Sequence, residues 1–294
     1  MRKISQDLNV RPAAVAGQFY AGHPDRLRAE VAELLASAQP YHGASPKALI
    51  VPHAGYVYSG RVAATAFAPL RDSASAIERV VVIGPAHYVP VGGIATPTAD
   101  AFETPLGRLP VDHDAIAAIT DLFFVISADG PHAREHALEV ELPFLQTLLR
   151  PFAVVPLLVG DAAPKNVADF LRRLWGGPET LIVVSSDLSH YHDYDTARRL
   201  DAATADTIER HDWGHLGLLI EAARRDVRAQ RLSLCNSGGC GRRPRSGGGL
   251  WGLDLRGEGR GAVNARPTPA GKRRSHSAAG PSHGSFAAKV KTAI

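Results

Sequence analysis

Val51-Pro52-His53-Ala54-Gly55-Tyr56-Val57-Tyr58-Ser59-Gly60 is the stretch on which the reading of this chain turns. The run Lys47 to Val51 that leads into it is apolar and β-like, and the small-residue segment Ser59 to Ala68 behind it predicts a helix. A strand, a polar tip carrying His53 and then a helix put ligand-binding groups at the carboxyl edge of an α/β sheet. The same pattern recurs twice. Arg79 to Ile83 runs into Gly84-Pro85-Ala86-His87, and Thr180 to Val184 runs into Ser185-Ser186-Asp187-Leu188-Ser189-His190. Three predicted strands therefore end in histidine.

Working outward, Pro24 opens a helix whose Leu27, Val31, Leu34 and Leu35 recur at helical spacing to Ala38. Val91 to Ala95 predicts a short strand, and residues 96–110, with Pro97, Pro105, Gly107 and Pro110, a loop or hairpin. Helices are expected from Asp112 or His113 to about Asp121, from Arg134 to Leu149, over Lys165 to Trp175, Asp195 to Asp212 and Leu216 to Arg225. Strands are expected over Leu122 to Ile126, Phe152 to Val159 and Val227 to Cys235. The alternation predicts a single α/β domain, residues 1–238, with a mostly parallel or mixed central sheet and helices on both faces.

At 294 residues the chain is long enough to bury a full core, and its 45% hydrophobic share is that of a soluble globule. There is no run of 18 apolar residues, so no spanning helix and no membrane association are expected. The polar start Met1 to Asp7 does not read as a signal peptide, and a cytoplasmic location follows as the default. Two cysteines, Cys235 and Cys240, are too few for a secreted disulfide framework.

The net charge of +4 misleads, because residues 240–294 hold 11 Lys and Arg against 2 acidic residues, and the first 239 hold 22 against 27. The body is mildly acidic, so no nucleic-acid partner is expected. The tail, residues 239–294, is rich in Gly and Arg without apolar periodicity and is expected to be disordered.

Two histidines and a carboxylate on one face make the pattern of a non-haem iron site with open positions. His53 and His87 come from different strand ends, Asp187 is the candidate carboxylate, and His190 is a candidate donor behind it or a general acid/base. His136 and Glu139, three apart at an expected helix start, either line the site or form a packing pair. His192 and Asp193 read as a cap for the next helix. Ser185-Ser186 lacks a Gly-x-Ser-x-Gly elbow, and no phosphate-cradling glycine motif occurs.

Val10-Arg11-Pro12 with Ala16 to Tyr20, then Pro52 to Gly60, Val81 to Pro90, Arg134 to Gln146 and Val183 to Tyr191, taken in this order and spacing, resemble the Memo family over about residues 10–238. Its bacterial members are labelled AmmeMemoRadiSam system protein B. The resemblance implies an extradiol-dioxygenase-like α/β fold and iron or copper held by His53 and His87, with Asp187, His190 and His136 in the same pocket as catalytic candidates. It also implies AMMECR-type and radical-SAM proteins as partners. The implied function is a mononuclear metal site for redox or oxygen-using chemistry. The alternatives are a non-enzymatic adaptor that binds a peptide or small anion, or a degenerate inactive copy.

Two departures bear on the last alternative. The family's third metal ligand, a cysteine, has no counterpart where Asp212 to Leu216 joins two expected helices, and Cys235 lies in a later segment. The family's last strand resembles a one-nucleotide frame shift of Cys240 to Gly252, so the tail is expected to be a frameshifted translation; sequencing the gene tests this.

Overall fold

A computed structural model describes residues 8–41, 43–149, 151–210, 227–236 and 249–257. In chain order the elements are β1 (Val10–Arg11), α1 (Pro24–Ser37), β2 (Ala48–Val51), α2 (Tyr56–Phe67), β3 (Arg79–Pro85), β4 (Ile94–Thr96), β5 (Ala101–Thr104), β6 (Gly107–Pro110) and α3 (His113–Ala117). They continue with β7 (Val125–Ser127), α4 (Gly130–Ala133), α5 (Leu142–Leu148), β8 (Ala153–Val159), α6 (Pro164–Leu174), β9 (Thr180–Ser185), α7 (Tyr194–Glu209), β10 (Val227–Asn236) and β11 (Gly249–Gly257).

Eight strands form the main sheet in the order β10-β11-β2-β9-β3-β8-β4-β7. Its centre, β2-β9-β3-β8, is parallel throughout, while β4 runs antiparallel to β8 and β11 antiparallel to β2. Every residue of β2 and β9 is buried, and so is every interior residue of β3 and β8. Successive side chains on a strand face opposite ways, so full burial means both faces are covered. That is the expected mixed α/β architecture in one domain.

Local chemistry explains the helices that frame the site. α1 begins at Pro24 behind His23, whose ring accepts the Asp25 amide at 3.3 Å, and it buries Leu27, Val31 and Leu35. α2 is built of small residues, so α1 packs close to it; a Cβ at Gly60 would stand 2.8 Å from a Leu34 methyl. The expected hairpin at residues 96–110 appears as β5–β6, and it belongs to a separate three-stranded sheet in which β1 pairs in parallel with β5. Asp193 caps α7 as expected, accepting the Thr196 amide at 2.9 Å.

Two expectations need correction. The helix expected from Arg134 to Leu149 is broken, since residues 134–138 are not helical, Glu139–Glu141 is a single 3₁₀ turn, and α5 starts at Leu142. Two sets of bonds compete with a helical ladder here: Arg11, more than 120 positions away, takes the His132 and Glu135 carbonyls, and the Glu135 carboxylate accepts the amides of His136 and Ala137. The tail, expected to be disordered, contributes β11. Leu250, Leu253 and Leu255 lie among its glycines, and without this strand the β2 edge facing away from β9 would present unpaired backbone groups. The helix expected over Leu216 to Arg225, the junction at Asp212 to Leu216 and the rest of the tail lie outside the described residues. No helix among the described residues is long and apolar enough to cross a membrane.

Candidate metal centre

Because β2, β9 and β3 are neighbours and parallel, the loops after them open on one edge of the sheet. His53 follows β2, Asp187 follows β9 and His87 follows β3. His136 arrives from the irregular segment between α4 and α5. The rings of His53 and His87 lie 5.2 Å apart centre to centre, those of His53 and His136 5.5 Å, and those of His87 and His136 stack at 4.6 Å. One ring nitrogen from each of the three lies within 4.8 Å of the other two. Among the described residues this is the only group of three or more His, Cys, Asp or Glu side chains so placed.

Hydrogen bonds assign the proton on two of these rings. The Ser185 hydroxyl donates to the Ala137 carbonyl at 2.6 Å, so at His53 Nδ1, 2.8 Å away, it acts as acceptor. His53 therefore carries its proton on Nδ1 and keeps the Nε2 lone pair free. His87 Nδ1 lies 2.8 Å from Glu135 Oε1, a carboxylate that only accepts, so its Nε2 is free as well. The same carboxylate takes the His87 amide at 2.6 Å and the amides of His136 and Ala137 at 2.9 and 3.0 Å. His136 packs against Phe19 at 4.8 Å between ring centres, and its Nδ1 lies 3.3 Å from the Tyr88 hydroxyl.

These surroundings set the charges. Burial, together with repulsion from His87, lowers the His53 pKa to about 3. Burial and the nearby His53 bring His136 to about 4. Both rings are neutral at pH 7, the state in which imidazole binds a metal. Burial alone would raise Glu135, but the bonds from His87 and from the backbone amides outweigh it and hold the carboxyl at about 2. Burial raises Asp187, against the opposing hydrogen bond from the His53 amide.

A metal–nitrogen bond of about 2.0–2.1 Å allows two ligands of one ion to stand at most about 4.2 Å apart, so a pair of the trio standing near 4.8 Å closes by about 0.6 Å or more on loading. The donors fit such an ion: three imidazoles, two with oriented Nε2 lone pairs, and the His87 ring is about a third exposed.

Of the other residues singled out in the sequence, Asp187 stands at the cluster but is engaged. Its Oδ1 accepts the His53 amide at 2.9 Å, and Oδ2 lies 4.0 Å from His53 Nε2. His190 is exposed and lies against Tyr191, a left-handed residue at φ 63°. Its loop is tied down by buried Asp201, which accepts the Ser189 amide at 3.0 Å. Glu139 does not join His136, because its carboxylate faces Arg11 and Tyr20. Ser185 is the orienting partner of His53.

Sequence reasoning missed Glu135 and Glu141. Glu135 was visible as the residue before His136, but its bonds to His87 cross 48 positions. Glu141 is buried with neither oxygen hydrogen-bonded among the described residues, and burial raises its pKa well above the ordinary carboxylate value.

Residues 11–236 match the profile of a family described as Memo-like protein. A MEMO1 family protein of Aquifex aeolicus (strain VF5) is 35% identical over 207 residues, 69% of this chain and 76% of that protein. A MEMO1 family protein of Thermotoga maritima is 32% identical over 249 residues, 78% of this chain and 85% of its own. One from Archaeoglobus fulgidus is 33% identical over 207 residues, 68% and 75% respectively.

Proposed function

Because this chain belongs to the Memo family, we propose that it is a mononuclear metalloenzyme in which His53, His87 and His136 hold one iron or copper ion for redox or oxygen-using chemistry. The observation that carries this reading is the convergence of three ring nitrogens within 4.8 Å at the carboxyl edge of the sheet. A bound ion would supply one-electron chemistry and open coordination positions for oxygen or substrate.

The remaining roles belong to the chain itself. Ser185 and Glu135 fix the Nδ1 protons of His53 and His87 and so present their Nε2 atoms. His136 supplies the third donor that the family resemblance assigns to a cysteine. Asp187, whose Oδ2 lies 4.0 Å from His53 Nε2, is assigned to holding and moving a proton beside the histidines, and His190, at the exposed rim, to proton exchange with solvent.

Metal analysis of the purified protein beside His53→Ala, His87→Ala and His136→Ala tests the reading. One equivalent of metal per wild-type chain, with less than a tenth of that in each variant, is expected. Equal metal content in wild type and variants would remove the metalloenzyme and leave a cleft that works by binding alone.

A further inference from the structure

Arg11, on β1, is buried and uses all three guanidinium nitrogens on one stretch of chain more than 120 positions away. Its Nε donates to the His132 carbonyl at 2.9 Å, one terminal nitrogen donates to the Glu135 carbonyl at 2.5 Å, and the other pairs with the Glu139 carboxylate. The guanidinium also lies 5.3 Å from the centre of the Phe102 ring on the neighbouring β5. Glu139 in turn accepts the amides of Ala14 and Val15 at 2.7 and 3.0 Å and the Tyr20 hydroxyl at 2.5 Å.

The placement of those two carbonyls matters. The His132 carbonyl, in α4, also accepts the Glu135 amide at 3.3 Å, whereas the Glu135 carbonyl lies in the non-helical turn that leads into His136, and a buried carbonyl there needs a donor. Arg11 is that donor. The Glu135 side chain holds His87 and the Glu135 backbone leads directly to His136, so one cation anchors the peptide from which two of the three histidine arms are set. His53 is held differently, by Ser185 and Asp187.

We infer that Arg11 is a positioning residue of the histidine site: it touches no ligand, yet it fixes the backbone that aims Glu135 and His136. Its consequence for metal rests on the function proposed above, whereas the positioning itself is measurable in metal-free protein.

Arg11→Lys keeps the positive charge, but a single ammonium does not reproduce the planar fork that spans three acceptors. Carbethoxylation by diethylpyrocarbonate, resolved residue by residue with peptide mass spectrometry on metal-stripped protein, reads the result. His136 is expected to react faster in the variant than in wild type, while His53 and the exposed, remote His113 keep their rates and the melt stays cooperative. An unchanged His136 rate in the folded variant overturns the inference. A rise shared equally by His53 also overturns it, because that is general loosening.

Cobalt(II) titration of the same proteins is expected to show affinity weakened by about 10–100-fold. Wild-type protein that takes up no cobalt removes the metal reading, while a selective rise at His136 still upholds the positioning. Should Arg11→Lys fail to fold, the pair Arg11→Met with Glu139→Gln, which removes both buried charges, is measured with the same outcomes.

Discussion

Glu135 holds His87 at two points, through the ring Nδ1 at 2.8 Å and the backbone amide at 2.6 Å, and so fixes both the rotation of the imidazole and the loop that carries it. Glu135→Gln keeps the shape but replaces a charge-assisted bond with a neutral one. Affinity for a divalent ion is expected to fall by about tenfold or more, with the fold intact, in a calorimetric titration. Unchanged affinity would show that the carboxylate only supports the loop.

Ser185 joins His53 to the Ala137 carbonyl. Ser185→Ala strands a buried N–H on one side and a buried C=O on the other, at a cost of about 1–3 kcal/mol for each unsatisfied group. A lower melting temperature and weaker metal binding are expected together. A drop in melting temperature with metal affinity intact would remove Ser185 from the orientation of His53.

Gly84 on β3 has no room for a side chain: a Cβ there would stand 2.9 Å from a Leu138 methyl and 3.1 Å from the Ala137 Cβ. Gly84→Ala therefore pushes on the segment that follows His136. Destabilisation of about 1–3 kcal/mol is expected in denaturant melts, with reduced metal uptake. A melt equal to wild type would show that the segment gives way freely.

The buried titratable groups set opposing pH dependences. His53 at about 3, with His132 and His136 at about 4, have folded values below the ordinary 6.5 of histidine, chiefly through burial. The fold therefore favours their neutral form, so their contribution is full above about pH 6.5 and is lost as the pH falls toward 4. Glu141 acts in the other sense. Burial raises its folded pKa, so its stabilising contribution is full below about pH 4.5 and is lost as the pH rises. Thermal melts across pH 4–8 of metal-free wild type and Glu141→Gln separate the two. The variant is expected to be the more stable at pH 8, with the gap closing toward pH 4.5; a gap constant with pH would mean that folding leaves the Glu141 pKa where it is in the unfolded chain.

The parts of the site that proved legible in the sequence share one property: they depend on near neighbours in the chain. His53 and His87 were visible because each follows an apolar strand, and the parallel order of those strands brings them together. His136 is a site candidate by sequence as well, but the helical periodicity of residues 134–149 places it on a helix. What breaks that helix is the set of bonds made by Arg11 and Glu135, whose partners lie up to 128 positions away and have no local signature. Strand β11 was hidden for a different reason, since three leucines among glycines and arginines do not outweigh the composition around them. Its place is set by the free edges of β10 and β2.

The order β2-β9-β3 also bears on folding kinetics. His53 and Asp187, 134 positions apart, meet only after a strand from late in the chain has inserted between two from early in it. Contacts of such long sequence separation form slowly, because the loop-closure entropy is lost before they reward it. The trio of histidines cannot pre-exist in a partly assembled chain, so an ion it captures binds the completed sheet and not the unfolded state. By mass action, such an ion raises the unfolding free energy of the whole domain instead of ordering one loop, making metal occupancy a gauge of finished folding.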